Sequence, residues 1–330
     1  MSDRITDHSV EGSARSMTWP QVRYGVNAEI RHQSVSVVVP TFNRSQLLAR
    51  AIRSISNQIY PATEIIVIDD CSTDDTQSVI SAYACDIPLV YVQLEKNSGG
   101  AVARNAGITR AAGDYIAFLD SDDEWQQDHL LTLMQAALPQ SGDFVVASSA
   151  IRIGKKRRGL PGLEYPQWGS VAEKLNFVLS AALAFQTSTL LMPQQTARRF
   201  MFDPRLRRHQ DWDLIFRMIE SDVLLVLLPE PTVRYYTPDV TSVSNVGISR
   251  SEFPSLRFLV KHKGQMSAKS KLRFVTLQIL RRRYMGFQML KYLLHATVWG
   301  SLGIKELVYY ARESIFAGIS RQLVDGKKRK

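Results

Sequence analysis

Val35-Ser36-Val37-Val38-Val39 runs into Pro40-Thr41-Phe42-Asn43. The first five residues are the short, β-branched run expected of a strand buried on both faces of a parallel sheet. The tetrapeptide with its proline stops that run. Leu47, Leu48, Ala51, Ile52 and Ile55 follow at helical spacing, with Ser45 as a candidate N-cap. Glu64-Ile65-Ile66-Val67-Ile68 repeats the strand pattern and ends at Asp69-Asp70. Ser72-Thr73-Asp74-Asp75 matches a capping box opening a helix through Tyr83. A third strand is expected over Leu89–Leu94 and a helix over Ala101–Ala112, behind Gly99-Gly100. A fourth strand, Tyr115–Leu119, ends at Asp120. Strand and helix in alternation predict an α/β fold with a doubly wound, mostly parallel sheet.

Beyond residue 126 the pattern predicts a helix over Leu130–Leu138, a strand over Phe144–Ser148 and a helix over Leu175–Ala184. Leu190-Leu191-Met192 and Val223–Leu228 are further strand candidates, and the chain turns helical after Asp211. Lys155-Lys156-Arg157-Arg158 reads as an exposed basic loop. No internal repeat is visible.

In doubly wound sheets, ligands bind beyond the carboxyl ends of the strands. The chain places Asp69-Asp70 and Asp120-Ser121-Asp122-Asp123 at two such ends. Clustered carboxylates repel one another unless a cation or a hydrogen-bonding ligand neutralises them. Asp120 and Asp122 form a D-x-D whose hard oxygens suit Mg²⁺ or Mn²⁺. The alternative is a polar turn in which Asp123 caps the next helix. The flanking Phe118-Leu119 and Glu124-Trp125, with Asp69-Asp70 alongside, favour the metal reading.

Val35–Asn43 (VSVVVPTFN), Glu64–Thr76 (EIIVIDDCSTDDT), Asn97–Gly107 (NSGGAVARNAG) and Gly113–Trp125 (GDYIAFLDSDDEW) resemble the successive motifs of family 2 glycosyltransferases. The resemblance covers residues 34–240 or thereabouts. It implies an inverting, nucleotide-sugar-dependent enzyme of the GT-A fold; the helical spacing beyond it adds a C-terminal helical extension. It implies that Pro40 and Phe42 line the nucleobase pocket and that Asp70 accepts a hydrogen bond from the base. Asp69 then points into the fold, and Cys71 is a packing residue. Stacking a base on a ring such as Phe42 is worth about 1–3 kcal/mol. Arg104 then lies near the ribose and phosphate, Asp120 near ribose and metal, and Asp122 binds the metal directly.

The resemblance also implies that Asp211 is the base that deprotonates the acceptor hydroxyl. Members of the family commonly carry Glu-Asp there, whereas this chain has Gln210-Asp211. His209 is the alternative base, though its place beside Arg207 and Arg208 suits a structural role better. The developing charge on the departing diphosphate calls for the metal, with Arg104, Arg207 and Arg208 as further candidates. The expected partners are a UDP-sugar as donor and a glycan or polyprenyl-linked acceptor. Which sugar moves depends on the weakly patterned stretch from 150 to 210.

The 330 residues are 45% hydrophobic and 22% charged, which excludes disorder over the whole length and a bundle of membrane spans. Cys71 and Cys85 are the only cysteines, so a disulfide scaffold or structural zinc site is not expected. Net charge is +10, but residues 261–330 carry 16 basic and 3 acidic residues, and the preceding 260 are net −3. That body argues against a nucleic-acid binder. The loop after the first strand lacks the Gly-rich, basic character of a nucleotidyltransferase. We expect a loose N-terminal arm over 1–33, a catalytic domain over 34–245 and a basic helical extension over 246–330. In that extension Phe274, Leu277, Leu280, Tyr284, Phe287, Leu290 and Leu294 recur every three or four residues. Such a segment fits either a helix lying on an anionic bilayer or one packed on the catalytic domain. The window from 284 to 304 is too polar for a membrane span. With no apolar core in its first 17 residues, the chain is expected in the cytoplasm, and a tail lying on the bilayer would make it peripheral on the inner face of the cell membrane.

Overall fold

A computed structural model describes residues 33–84, 86–153, 170–180, 186–236, 254–267, 270–271 and 274. The expected arm over residues 1–32, the basic loop at 155–158, the boundary near 245 and the tail beyond 274 lie outside the described residues.

The elements run β1 (Val35–Thr41), α1 (Ser45–Ser56), β2 (Glu64–Asp69), α2 (Thr76–Ser81), β3 (Leu89–Gln93) and α3 (Gly100–Arg110). Next come β4 (Tyr115–Phe118), β5 (Glu124–Trp125), α4 (His129–Ala137), β6 (Phe144–Ile153) and α5 (Val171–Ser180). A 3₁₀ turn, Thr187–Thr189, precedes β7 (Leu190–Pro193), α6 (Gln194–Phe200), α7 (Gln210–Glu220), β8 (Leu224–Tyr236) and α8 (Pro254–His262). The strands form one sheet in the order β3-β2-β1-β4-β7-β6-β8-β5. Pairs β2–β3, β1–β2 and β1–β4 are parallel, as is β6–β8. β7 runs against both of its neighbours, and β5 runs against β8. The sheet is thus mixed beyond β4. A run as short as Leu190–Met192 carries no signal of strand direction.

The period-two alternation of β1 decides which face each residue covers. Val35, Val37 and Val39 join Ile65 and Val67 under α1 and α4. Val38, Ile66 and Ile68 face the other layer, built from α3, α5, α6, α7 and α8. Both faces of β1 and β2 are therefore dry, which explains their unbroken apolar runs. Gly107 sits where α3 crosses β1. A Cβ there would lie 2.3 Å from Val38 Cγ1, so only glycine lets the helix come this close.

Several local expectations are corrected. Arg44, not Ser45, occupies the N-cap of α1, and no side chain caps it. The capping box at Ser72–Asp75 does not form; α2 spans six residues from Thr76 with no side-chain cap. Asp74 instead accepts from the Thr76 N–H (3.1 Å) and hydroxyl (2.5 Å), closing the turn locally. This is the competition between turn and cap that short polar side chains offer. β8 is longer than Val223–Leu228 because it continues past Pro229 and Pro231. Its pairing with β6 shifts register near Ser149, and such irregularities accommodate prolines. Phe274, expected on the apolar stripe of the tail, is buried and stacks on Phe258 with ring centroids 5.1 Å apart.

Candidate active site

The carboxyl ends of β1, β2 and β4 open onto one crevice, and the loops there are bonded to one another. Asn43, in left-handed backbone, donates from N–H to Ser72 Oγ (2.8 Å) and accepts from the Thr73 N–H (2.7 Å). Asp69 is fully buried, as expected, and accepts from the Ser72 N–H and hydroxyl, the Tyr91 hydroxyl and Gln93 Nε2. It fixes the floor of the loop. Cys71 is half-exposed in left-handed backbone and is not a core residue.

Pro40 is buried at the end of β1, and Phe42 is half-buried just beyond it. Both oxygens of Asp70 accept backbone N–H groups, from Ser98 and Gly99, each at 2.7 Å. Burial still pushes the Asp70 carboxyl above its ordinary range, against the pull of those two N–H groups. Asp70 thus ties β2 to the start of α3, where Gly99 adopts φ 93°.

The ARNAG segment on α3 makes three separate connections. Arg104 reaches the D-x-D: its Nη2 lies 2.5 Å from Asp120 Oδ1. Its Nη1 donates to Gln210 Oε1 at 2.8 Å. Asn105 pairs reciprocally with the backbone of Phe202, 2.8 Å in each direction. Gly107 allows the close packing on Val38 described above. Arg104, 106 residues before Gln210 in the chain, thereby brings the start of α7 over the D-x-D.

Asp211 lies next to Gln210 and is half-buried. Its Oδ1 accepts from the Trp212 N–H at 2.9 Å. Burial raises its pKa to about 6, helped by the charge of Asp120 and opposed by the Trp212 bond and Arg104. His209, the alternative base, is the left-handed N-cap of α7 and is stacked on Trp212. Its Nε2 is 3.0 Å from Ser255 Oγ, and its ring also packs against Phe258 and Phe274. That is the structural role. Asp213 is buried one face away, paired with Arg217, Lys261 and His262, so it anchors α8 to α7.

Three residues at the D-x-D were not singled out from the sequence. Arg44 Nη1 lies 2.9 Å from Asp122 Oδ2, and Arg50 Nη2 donates to the Asp122 carbonyl at 2.6 Å. Ser188, in the 3₁₀ turn, is fully buried. Its hydroxyl accepts from the Asp120 N–H (3.0 Å) and donates to Asp123 Oδ2 (2.6 Å), while its carbonyl accepts from Trp125 Nε1 (2.8 Å). Asp123 is thus an internal brace, its carboxyl held well above the usual range by burial beside Asp122 and Asp120. It does not cap α4, whose N-cap is Asp128.

Among the described residues, no group of three or more His, Cys, Asp or Glu side chains gathers as metal ligands. The donor set at hand is Asp120 and Asp122, two partly exposed carboxylates now balanced by Arg104 and Arg44. Hard oxygens of this kind fit Mg²⁺ or Mn²⁺, which take further oxygens from phosphate and water.

Carboxylates at the ends of β2 and β4, closed over by a helix-borne aspartate, define a glycosyltransferase of the GT-A class. The chain belongs to glycosyl transferase family 2, whose sequence model matches residues 36–206. It is 32% identical over 213 residues to the amylovoran biosynthesis glycosyltransferase AmsB of Erwinia amylovora, covering 62% of this chain and 69% of AmsB. It is 41% identical over 111 residues to the putative teichuronic acid biosynthesis glycosyltransferase TuaG of Bacillus subtilis, covering 33% of this chain and 44% of TuaG. The crystal structure of S. aureus TarS residues 1–349 superposes with a TM-score of 0.61 at 18% identity, over 83% of this chain and 82% of that one. The TarS complex with UDP-GlcNAc gives the same score over 81% of this chain and 80% of that one. At that identity the likeness concerns the fold.

Proposed function

We propose that the chain moves a sugar, with inversion, from a UDP-sugar to a hydroxyl of a glycan or polyprenyl-linked acceptor. The observation that carries this reading is the Asp120–Arg104–Gln210 bridge. It puts the carboxylates suited to a donor diphosphate beside the carboxylate suited to an acceptor hydroxyl. The TarS complex with UDP-GlcNAc supports the donor class, and the named relatives in polysaccharide biosynthesis support a glycan acceptor.

In this reading Pro40 and Phe42 form the wall against which the base stacks, and Asp70, besides holding the Ser98 and Gly99 N–H groups, accepts a hydrogen bond from the base. Asp122, with Asp120, would hold the divalent cation. When bound there, it would supply positive charge on the side where the diphosphate departs. Arg104 orients Asp120 and adds positive charge on the same side. Asp211 accepts the proton of the acceptor hydroxyl as its oxygen attacks. Its raised pKa suits that task, because a base works best when its pKa lies near the working pH.

Calorimetry with UDP, with and without a chelator, tests the donor half. We expect Mn²⁺-dependent binding that Asp122→Ala weakens sharply. Binding indifferent to chelator and to that substitution would contradict the metal assignment. A screen of UDP- and GDP-sugars for donor hydrolysis tests the nucleotide.

A further inference from the structure

Two arginines meet Asp122, and they hold it differently. Arg50 Nη2 donates to the main-chain carbonyl at 2.6 Å, and its guanidinium lies 3.9 Å from the centre of the Tyr236 ring. That fixes the backbone of the D-x-D. Arg44 Nη1 instead lies 2.9 Å from the carboxylate oxygen Oδ2. Both side chains of this pair are partly open to the crevice, 17% exposed for Arg44 and 25% for Asp122. Among the described residues, Asp122 is the one polar partner of that guanidinium.

The backbone of Arg44 is held on both sides. Asn43 and Ser45 donate their N–H groups to Ser72 Oγ and Asp74 Oδ2 at 2.8 and 3.4 Å, and the Arg44 carbonyl accepts from the Leu48 N–H at 2.9 Å. The side chain can therefore change partner while the loop stays in place. Arg104 differs. Its side chain is 10% exposed, it is shared between Asp120 and Gln210, and its guanidinium stands 5.3 Å from the centre of the Phe202 ring. Those contacts keep it on Asp120.

The D-x-D thus sets two carboxylates against two guanidinium groups. A divalent cation on Asp122 makes the same claim on that carboxylate as Arg44 does, and leaves two positive charges in surplus. The diphosphate of a nucleotide-sugar carries two negative charges. A guanidinium displaced from Asp122 finds matching acceptors in its oxygens, because arginine forks onto phosphate as it does onto carboxylate.

We propose that Arg44 exchanges one anion for another: it competes with the divalent cation for Asp122, and it pairs with the donor diphosphate once the cation holds that carboxylate. The inference rests on the reading of Asp122 as a metal ligand and of the donor as a nucleoside diphosphate sugar. Arg44 then opposes the cation alone but favours cation and diphosphate together. Each raises the affinity for the other, since coupling between two bound species is reciprocal.

The test uses the full chain with Arg44→Gln and, to keep the apolar stem, Arg44→Met. Electron paramagnetic resonance of free Mn²⁺ measures metal affinity without nucleotide. Calorimetry at saturating Mn²⁺ measures UDP affinity, and NMR titration with uridine reports on the base pocket and the fold. Losing a hydrogen bond to a charged group changes affinity by about tenfold or more. We expect Mn²⁺ alone to bind each variant at least ~10-fold more tightly than the parent. UDP should bind at least ~10-fold more weakly, and uridine equally well. Mn²⁺ affinity unchanged or lowered in both variants would overturn the exchange, whatever happens to UDP. Unchanged UDP binding would overturn it too. So would uridine binding that falls by the same factor as UDP, because the loop and not the guanidinium would then be at fault. A parent whose UDP binding ignores Mn²⁺ fails at the metal assignment, and the exchange falls with it. A parent that binds neither UDP nor uridine fails at the donor reading itself.

Discussion

Arg104 lies 2.5 Å from Asp120 through Nη2 while its Nη1 donates to Gln210 at 2.8 Å. One side chain therefore joins the carboxyl end of β4 to the first turn of α7. The relationship depends on the planar fork of arginine, which presents two donors in fixed geometry. Gln210 accepts without adding a charge and turns its own Nε2 to the Leu206 carbonyl at 2.6 Å. A glutamate there, as is common in the family, would set a second carboxylate to share the same guanidinium.

Arg104→Lys should not rescue Arg104→Ala, because an ammonium cannot reach both partners in this geometry. Hydrogen bonds to charged groups contribute about 1.5–3 kcal/mol each. Each variant should therefore raise the donor KM and lower kcat, with kcat/KM down at least ~10-fold. Steady-state kinetics check this. Parent-like kinetics in the lysine variant would remove the bridge from the account.

Ser188→Ala removes the hydroxyl that spans the Asp120 N–H and the Asp123 carboxyl. Leaving a buried polar partner unsatisfied costs about 1–3 kcal/mol. We expect a lower melting temperature and weaker UDP binding. Ser188→Thr, which keeps the hydroxyl, should recover binding more than stability, since the added methyl group enters a fully buried site. Calorimetry paired with thermal unfolding separates the two effects.

Gly107→Ala should destabilise the fold by about 1–3 kcal/mol, the usual cost of overpacking. The added methyl carbon would stand 2.3 Å from Val38 Cγ1, so α3 must lift from β1. Denaturant titration measures the loss. Combining it with Val38→Ala should return part of the stability.

Much of this was readable locally. The buried strands at Val35–Thr41 and Glu64–Asp69 declare themselves by unbroken apolar runs, because helices cover both faces of the sheet. The Asp120–Asp123 cluster and Gln210-Asp211 stand out as charge at element ends. Ser188 was not readable: its partner Asp120 is 68 residues away, and a serine before a strand has no pattern of its own. Arg44 was passed over because residues near a helix start suggest caps, while its guanidinium reaches Asp122 across the crevice. Phe274 fell on an amphipathic stripe that period alone cannot assign to bilayer or core. Its packing against Trp212 and Phe258 assigns it to the core.

The central claim is that Asp211 takes the proton from the acceptor, and the pH dependence of kcat/KM tests it most directly. Burial holds the Asp211 pKa at about 6, above the 3.8 of a free aspartate. Between those values the folded chain binds more protons than the unfolded one, so Asp211 lowers stability as pH rises through that window. Asp211→Asn should therefore be at least as stable as the parent above pH 6, while transfer falls by about 10²–10⁴-fold with UDP binding kept. In the parent, kcat/KM should fall tenfold per pH unit below about 6, and in Asp211→Asn the residual rate should lose that limb. A parent profile flat down to pH 5, or an Asp211→Asn variant that keeps both its rate and the acid limb, would contradict the account.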